Sequence, residues 1–248
     1  MKYVYSISSG DELAKYQKFV RENEERIRQY VNEISKDYHI AALPKYMVLA
    51  NLEMATKVHC DIVIPAYTNE ARMVITPELS VWKTIYLKQI NRYRNDNRTD
   101  MVKRYYDQIM SENVILQIIG HEIAHHSELF LNDFDDEDSE ILWFEEGMVE
   151  YISRKFFLTE AEFAEERDIN RLLVELFEEN HSAESIENFG QSTYDGSYAS
   201  IFYAYWKSFL CVEHLVETFG SAHHVFQSYH DWHADGRNIP LSQWFQIE

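Results

Sequence analysis

Eight residues, Ile119-Gly120-His121-Glu122-Ile123-Ala124-His125-His126, constrain this 248-residue chain more than any other stretch. On a helix of about 3.6 residues per turn, His121 and His125 stand one turn apart on the same face. Two ring nitrogens can then share one ion at about 2.0–2.1 Å. Glu122 stands beside them, where the H-E-x-x-H pattern assigns a general base that acts on water and does not ligate the metal. The pattern is a zinc signature and predicts one Zn2+ per chain. Val114, Ile115, Ile118, Ile119, Ile123 and Ala124 make the surrounding helix strongly apolar. Its histidines are therefore expected to be buried, and a metal is the partner that uses both imidazoles.

A catalytic zinc takes three protein ligands and keeps one position open. Downstream, Trp143-Phe144-Glu145-Glu146-Gly147-Met148-Val149-Glu150-Tyr151 reads as the middle of a second helix, with Ser139 as its N-cap. H-E-x-x-H followed by W-F-E-E-G-M-V-E-Y resembles the gluzincin metallopeptidases, the thermolysin and alanyl-aminopeptidase type of the MA clan. That resemblance implies Glu146, the Glu before Gly, as third ligand, with twenty residues between it and His125. It also implies that Glu150, one turn later on the same face, orients His121 from behind. Glu145 as ligand and Glu150 as a surface charge are the competing assignments. Glu145 and Glu146 lie about 100° apart around the helix, so only one of them can face the metal.

The same resemblance extends loosely to a C-terminal helix, whose first residues carry a Tyr that donates to the oxyanion. Tyr198 takes that role here, with Tyr194, Tyr203 and Tyr205 as alternatives. One such donor is worth roughly 2.7–4 kcal/mol in the transition state, where the charge develops. The implied fold is α+β and mainly helical: a zincin-like metallopeptidase fold with a small β-sheet in the N-terminal half and a helical C-terminal lobe. The metal would lie between the lobes of a single catalytic domain spanning 1–248, divided at about 1–130 and 139–248. The implied activity is zinc-dependent hydrolysis of peptide bonds. The Gly-x-Met-Glu-Asn-like segment with which aminopeptidases grip a free amine has no counterpart in 60–110, so exopeptidase action is not implied.

Composition narrows the partners. A net charge of −19 repels a phosphate backbone and argues against nucleic acid, while a peptide or protein substrate is compatible with it. No run approaches 18 apolar residues, and Met1–Ser6 leads into polar sequence without the apolar core of a signal peptide. Two cysteines, Cys60 and Cys211, are too few for a disulfide framework. The expectation is a cytoplasmic protein with no membrane partner.

Elsewhere, Ser9 and Glu12 form a capping box that opens a helix over 9–36. Residues 46–50, 58–64 and 72–76 read as short strands, with 72–76 the candidate edge that would pair with a substrate backbone. Pro77, with Thr76 as cap, opens a helix toward Tyr93; after a polar loop over 92–100, helix resumes through Lys103, Tyr106 and Ile109. The acidic run 133–138 lacks the Gly and Glu positions of an EF-hand and reads as a solvated connection. Thr159 and Glu162 cap a helix that stops near Asn180, and an aromatic helix runs from Tyr198 to a Gly220 cap. His230 and His233 lack the carboxylate or Cys partners of a second metal site.

Two other readings stand beside the peptidase. One is a regulatory endopeptidase of the ImmA/IrrE kind, whose active helix can read His-Glu-Ile-Ala-His-His and whose substrate is a single protein. The other is a non-catalytic protein in which zinc staples two helices and the aromatic C-terminal half binds a partner. An open coordination position separates the enzymes from the staple.

Overall fold

A computed structural model describes residues 1–59, 63–91, 93–131 and 141–247. Cys60, the acidic run 133–138 and the proposed Ser139 cap lie outside the described residues. The architecture is α+β and mainly helical, with one four-stranded sheet, and the chain divides into two compact units.

The first unit comprises Met1–Thr84, Met110–Phe130 and Ile152–Thr159. Its sheet contains β1 (Lys2–Ser6), β2 (Tyr46–Ala50), β3 (Ala66–Thr68) and β4 (Arg72–Ile75) in the order β1-β2-β4-β3. β1 and β4 both run parallel to β2, and β3 is antiparallel to β4. Along β2, Met47 and Leu49 point to one face and Val48 and Ala50 to the other, as the two-residue period requires. All four are buried, so the strand is covered on both sides. Helix α1 (Gly10–Asp37) carries the β1–β2 crossover; Ser9 accepts from the Glu12 amide, and the Glu12 carboxylate accepts from the Ser9 amide, as the sequence predicts. Its buried stripe is Tyr16, Val20, Ile27, Tyr30 and Ile34.

Three expectations for this unit change. Met54–His59 is a π-helical turn, not the start of a strand over 58–64. The Asn51 side chain accepts from the Met54 amide at 3.0 Å and starts that turn, and Val58 stays 65% exposed, so the β-branched run gains no burial there. The third strand forms instead beyond Pro65, as β3. β4 lies between β2 and β3 and is therefore not an edge; β3 holds that position. Finally, α2 starts at Leu79 and ends at Gln89, and the Thr76 hydroxyl makes no hydrogen bond, so Thr76 is not its cap. The Thr76 carbonyl instead accepts from Trp82 Nε1 at 2.9 Å.

The second unit comprises Ile85–Ile109, Leu131–Tyr151 and Glu160–Glu248. α3 (Asn97–Arg104), capped by Asp96, continues as a π-helical turn over Tyr105–Ile109. α4 (Asn113–Ala124) belongs to the first unit, whereas α5 (Leu142–Phe157) runs through both. α6 (Glu160–His181) and α7 (Tyr198–Phe219) make the most extensive helix pairing here, with the Phe177 and Tyr203 rings stacked at 4.1 Å. Gly220 ends α7 in the left-handed region at φ 82°, as its sequence position predicts. α8 (Ala222–Ala234) buries Val225, Phe226, Tyr229 and Trp232, and α9 is the short Leu241–Trp244. Among the described residues, no helix is long and apolar enough to cross a membrane.

Candidate metal centre

The histidine half of the site is built around α4. Every residue of α4 from Val114 to Ala124 is buried, as expected of a helix apolar around its circumference. At Gly120 an added Cβ would lie 2.6 Å from the Phe157 ring and 3.1 Å from Ser153 Cβ, so α5 crosses α4 where α4 has no side chain. Gln117 Nε2 donates to Ser153 Oγ at 3.2 Å, and the fully buried Tyr30 donates to the Gly120 carbonyl at 2.9 Å. These contacts fix the turn that bears His121. Beyond the motif, Ser127 donates to the Tyr38 carbonyl, and the Glu128 amide donates to the His39 carbonyl at 3.2 Å. The end of α4 is thereby tied to the end of α1.

On this helix the Nε2 atoms of His121 and His125 stand 3.1 Å apart. Two nitrogens each about 2.05 Å from a tetrahedral ion would stand roughly 3.3 Å apart, so the rings are already near ligand spacing. His121 and Glu122 are buried, each 6% exposed, and His125 is half-buried. The next residue, His126, faces elsewhere: its Nε2 lies 2.9 Å from Thr68 Oγ1 on the edge strand β3. Burial, reinforced by His125, lowers its pKa to about 4, so His126 is neutral at pH 7. It acts as a tie between the edge strand and the zinc-signature helix, a role its sequence position does not reveal.

The carboxylate half is built on α5. Beside Glu146, a Cβ on Gly147 would lie 2.5 Å from the Ser208 carbonyl oxygen and 2.6 Å from Val212 Cγ2. The E-G pair thus has a physical reason: only glycine lets α5 approach the α7 backbone this closely. That approach puts Glu146 beside Tyr205, which precedes Ser208 by about one turn. Glu146 is buried, and its Oε1 lies 3.3 Å from the hydroxyls of both Tyr194 and Tyr205.

His121, His125 and Glu146 each offer a ligand atom, and the three atoms lie within 4.8 Å of one another. Among the described residues this is the only group of His, Cys, Asp or Glu side chains arranged to hold a metal ion. Two imidazoles and one carboxylate are the donor set of a three-ligand zinc site, so the residues fit the ion that the motif predicts. Glu145, the competing ligand, is outside this group. Glu150, one turn beyond Glu146, is buried, in contrast to the simple surface charge that was its alternative reading. His230 and His233 lie on α8 and join no such group.

The four candidate tyrosines have different surroundings. Tyr198 opens α7 with its ring stacked on Phe202 at 6.2 Å and Lys88 Nζ 5.8 Å from its centroid. Tyr203 donates to Glu178 at 2.8 Å and serves the α6–α7 packing. Tyr194 and Tyr205, both among the alternatives, are the two that reach Glu146. Their convergence depends on the Gly147 crossing, a tertiary contact with no local sequence signal.

Comparison with known protein families, with curated proteins and with solved structures finds no match to this chain.

Proposed function

We propose that this protein is a zinc-dependent metallopeptidase of zincin-like fold, with His121, His125 and Glu146 as the metal ligands. The convergence of these three donors is the observation that carries the reading. Bound zinc would supply Lewis acidity, polarising a substrate carbonyl and bringing the pKa of water down to about 7. Glu122, buried beside His121, receives the proton of the attacking water and returns it to the leaving amine. Its burial keeps the carboxylate away from bulk solvent. Strand β3 is one edge of the sheet among the described residues, and it is tied to the end of α4 through Thr68 and His126. An extended peptide can add to that edge by main-chain hydrogen bonds, which makes a peptide or protein segment the fitting substrate.

The test is zinc content and peptide-library hydrolysis for wild type, Glu122→Gln and Glu146→Ala. The expected result is about one zinc per chain in wild type and Glu122→Gln, weakened binding in Glu146→Ala, and cleavage by wild type alone. Wild-type protein that binds no zinc overturns the ligand assignment. Full zinc with no cleavage of any peptide overturns the general-peptidase reading.

A further inference from the structure

The carboxylate of Glu146 sits in a triangle of oxygens within the second unit. Its Oε1 is 3.3 Å from Tyr194 Oη and 3.3 Å from Tyr205 Oη, and the two hydroxyls are 2.8 Å apart. Each neutral phenol has one proton to donate, and the carboxylate has none. Three contacts therefore share two protons, and at most two can be hydrogen bonds at once. The hydroxyl pair has the usual length of an O–H···O bond, whereas the two contacts to Oε1 are longer than ideal. Both protons are used either when both phenols donate to Oε1 or when one phenol donates to the other, which donates to Oε1; the short hydroxyl pair favours the second arrangement, a relay. By distance, Tyr194 and Tyr205 are equivalent as the terminal donor.

The phenols come from different elements. Tyr194 lies in a 3-10 turn over Gln191–Asp195 and Tyr205 lies on α7. Phe189 packs against both rings, with centroids 6.3 Å from Tyr194 and 5.2 Å from Tyr205. The turn is closely applied to α7: a Cβ on Gly196 would lie 2.5 Å from Ser200 Oγ. Ring packing thus positions the hydroxyls independently of the carboxylate.

Building on the proposed metal centre, we infer that Tyr194 and Tyr205 form a redundant clamp on Glu146. The clamp holds Oε1, directs metal ligation through Oε2, and works with either phenol alone. They are positioning residues: with Tyr205 lost, Tyr194 donates directly to Oε1, and the converse holds. With both lost, the carboxylate can rotate or bind through both oxygens, and metal retention falls. Loss of a hydrogen-bonding partner behind a metal ligand typically lowers affinity 10–100-fold.

The experiment compares wild type, Tyr194→Phe, Tyr205→Phe and the double variant by competition for Zn2+ against a chelator and by the visible spectrum of the Co2+-loaded protein. Thermal unfolding of the metal-free forms verifies that all four are folded. The expected result is Zn2+ affinity within about threefold of wild type for each single variant and a 10–100-fold loss for the double. That loss should exceed the product of the single effects, and the Co2+ absorption should change in the double variant alone. A double variant that binds Zn2+ like wild type, or a single variant that already shows the full loss, overturns the clamp and leaves the metal assignment intact. Wild-type protein that does not bind Zn2+ overturns the metal assignment and the clamp with it.

Discussion

Two glycines flank the proposed ligands, and their surroundings differ in kind. Gly120 precedes His121, and the space its missing Cβ leaves is filled by side chains, the Phe157 ring and Ser153 Cβ. Gly147 follows Glu146 and faces the Ser208 carbonyl together with the Val212 side chain. A side chain can rotate or shift by a few tenths of an ångström. A helix backbone can yield only if the helices separate. The histidine half is thus held by the burial of a whole helix, and the carboxylate half by one close helix–backbone approach.

Gly147→Ala breaks the second arrangement and is the largest effect expected. Overpacking typically costs about 1–3 kcal/mol, and contact with backbone puts this site at the upper end. Alanine's better helix propensity returns roughly 1 kcal/mol, leaving a net loss of about 2 kcal/mol. Because Glu146 is adjacent, Zn2+ affinity should fall at least tenfold with it. Gly120→Ala gains the same propensity against softer neighbours and should stay within about 1 kcal/mol of wild type. Thermal unfolding of metal-free protein and Zn2+ competition measure both. If Gly120→Ala proves the more damaging, the contrast between the two crossings is wrong.

Tyr30→Phe sharpens the comparison on the histidine side. It removes the buried donor to the Gly120 carbonyl while keeping the ring that packs against Phe156 and Phe157. The expected loss is about 1 kcal/mol in the stability of the metal-free protein, typical of one hydrogen bond. Unchanged stability would mean that burial of α4 holds this half without the anchor.

The sequence made the histidine half legible and the carboxylate half only partly so. H-E-x-x-H works through i, i+4 spacing, which any helix enforces locally. Ser9 with Glu12 and Gly220 were readable for the same reason, since caps are local chemistry. The N-terminal Lys2–Ser6 strand and α8 also carry local signals: a Tyr-Val-Tyr run, and Val225, Phe226, Tyr229 and Trp232 at helical spacing. Other features had no local signal. β3 is three residues long, and its edge position depends on strand order. Asn51 turned the chain into helix where the β-branched residues suggested a strand. Tyr194 and Tyr205 are eleven residues apart and meet only because the turn and α7 bring them to the same carboxylate.

The smallest effects concern pH, and again the two units should differ. Glu78, in the first unit, is partly buried, which alone would raise its pKa; hydrogen bonds from Lys15 at 2.5 Å and Tyr16 at 2.7 Å outweigh this and lower it below 4.5. Its contribution to stability is therefore complete above pH 4.5 and is lost as pH falls through the lowered folded value. Glu213, in the second unit, is raised above 4.5 because burial outweighs the opposing Arg167 and Arg171. Its ionised form is the disfavoured one in the folded state, so its penalty is present at neutral pH and relieved as pH falls from the raised value toward 4.5. Glu78→Gln should consequently lose stability relative to wild type as pH rises from 4 to 7, while Glu213→Gln should gain relative to wild type over the same interval. Urea unfolding of the metal-free proteins across that range measures both differences. Slopes of the same sign would show that the two carboxylates do not sense opposite environments, and that the guanidinium groups beside Glu213 compensate its burial as fully as Lys15 and Tyr16 compensate that of Glu78.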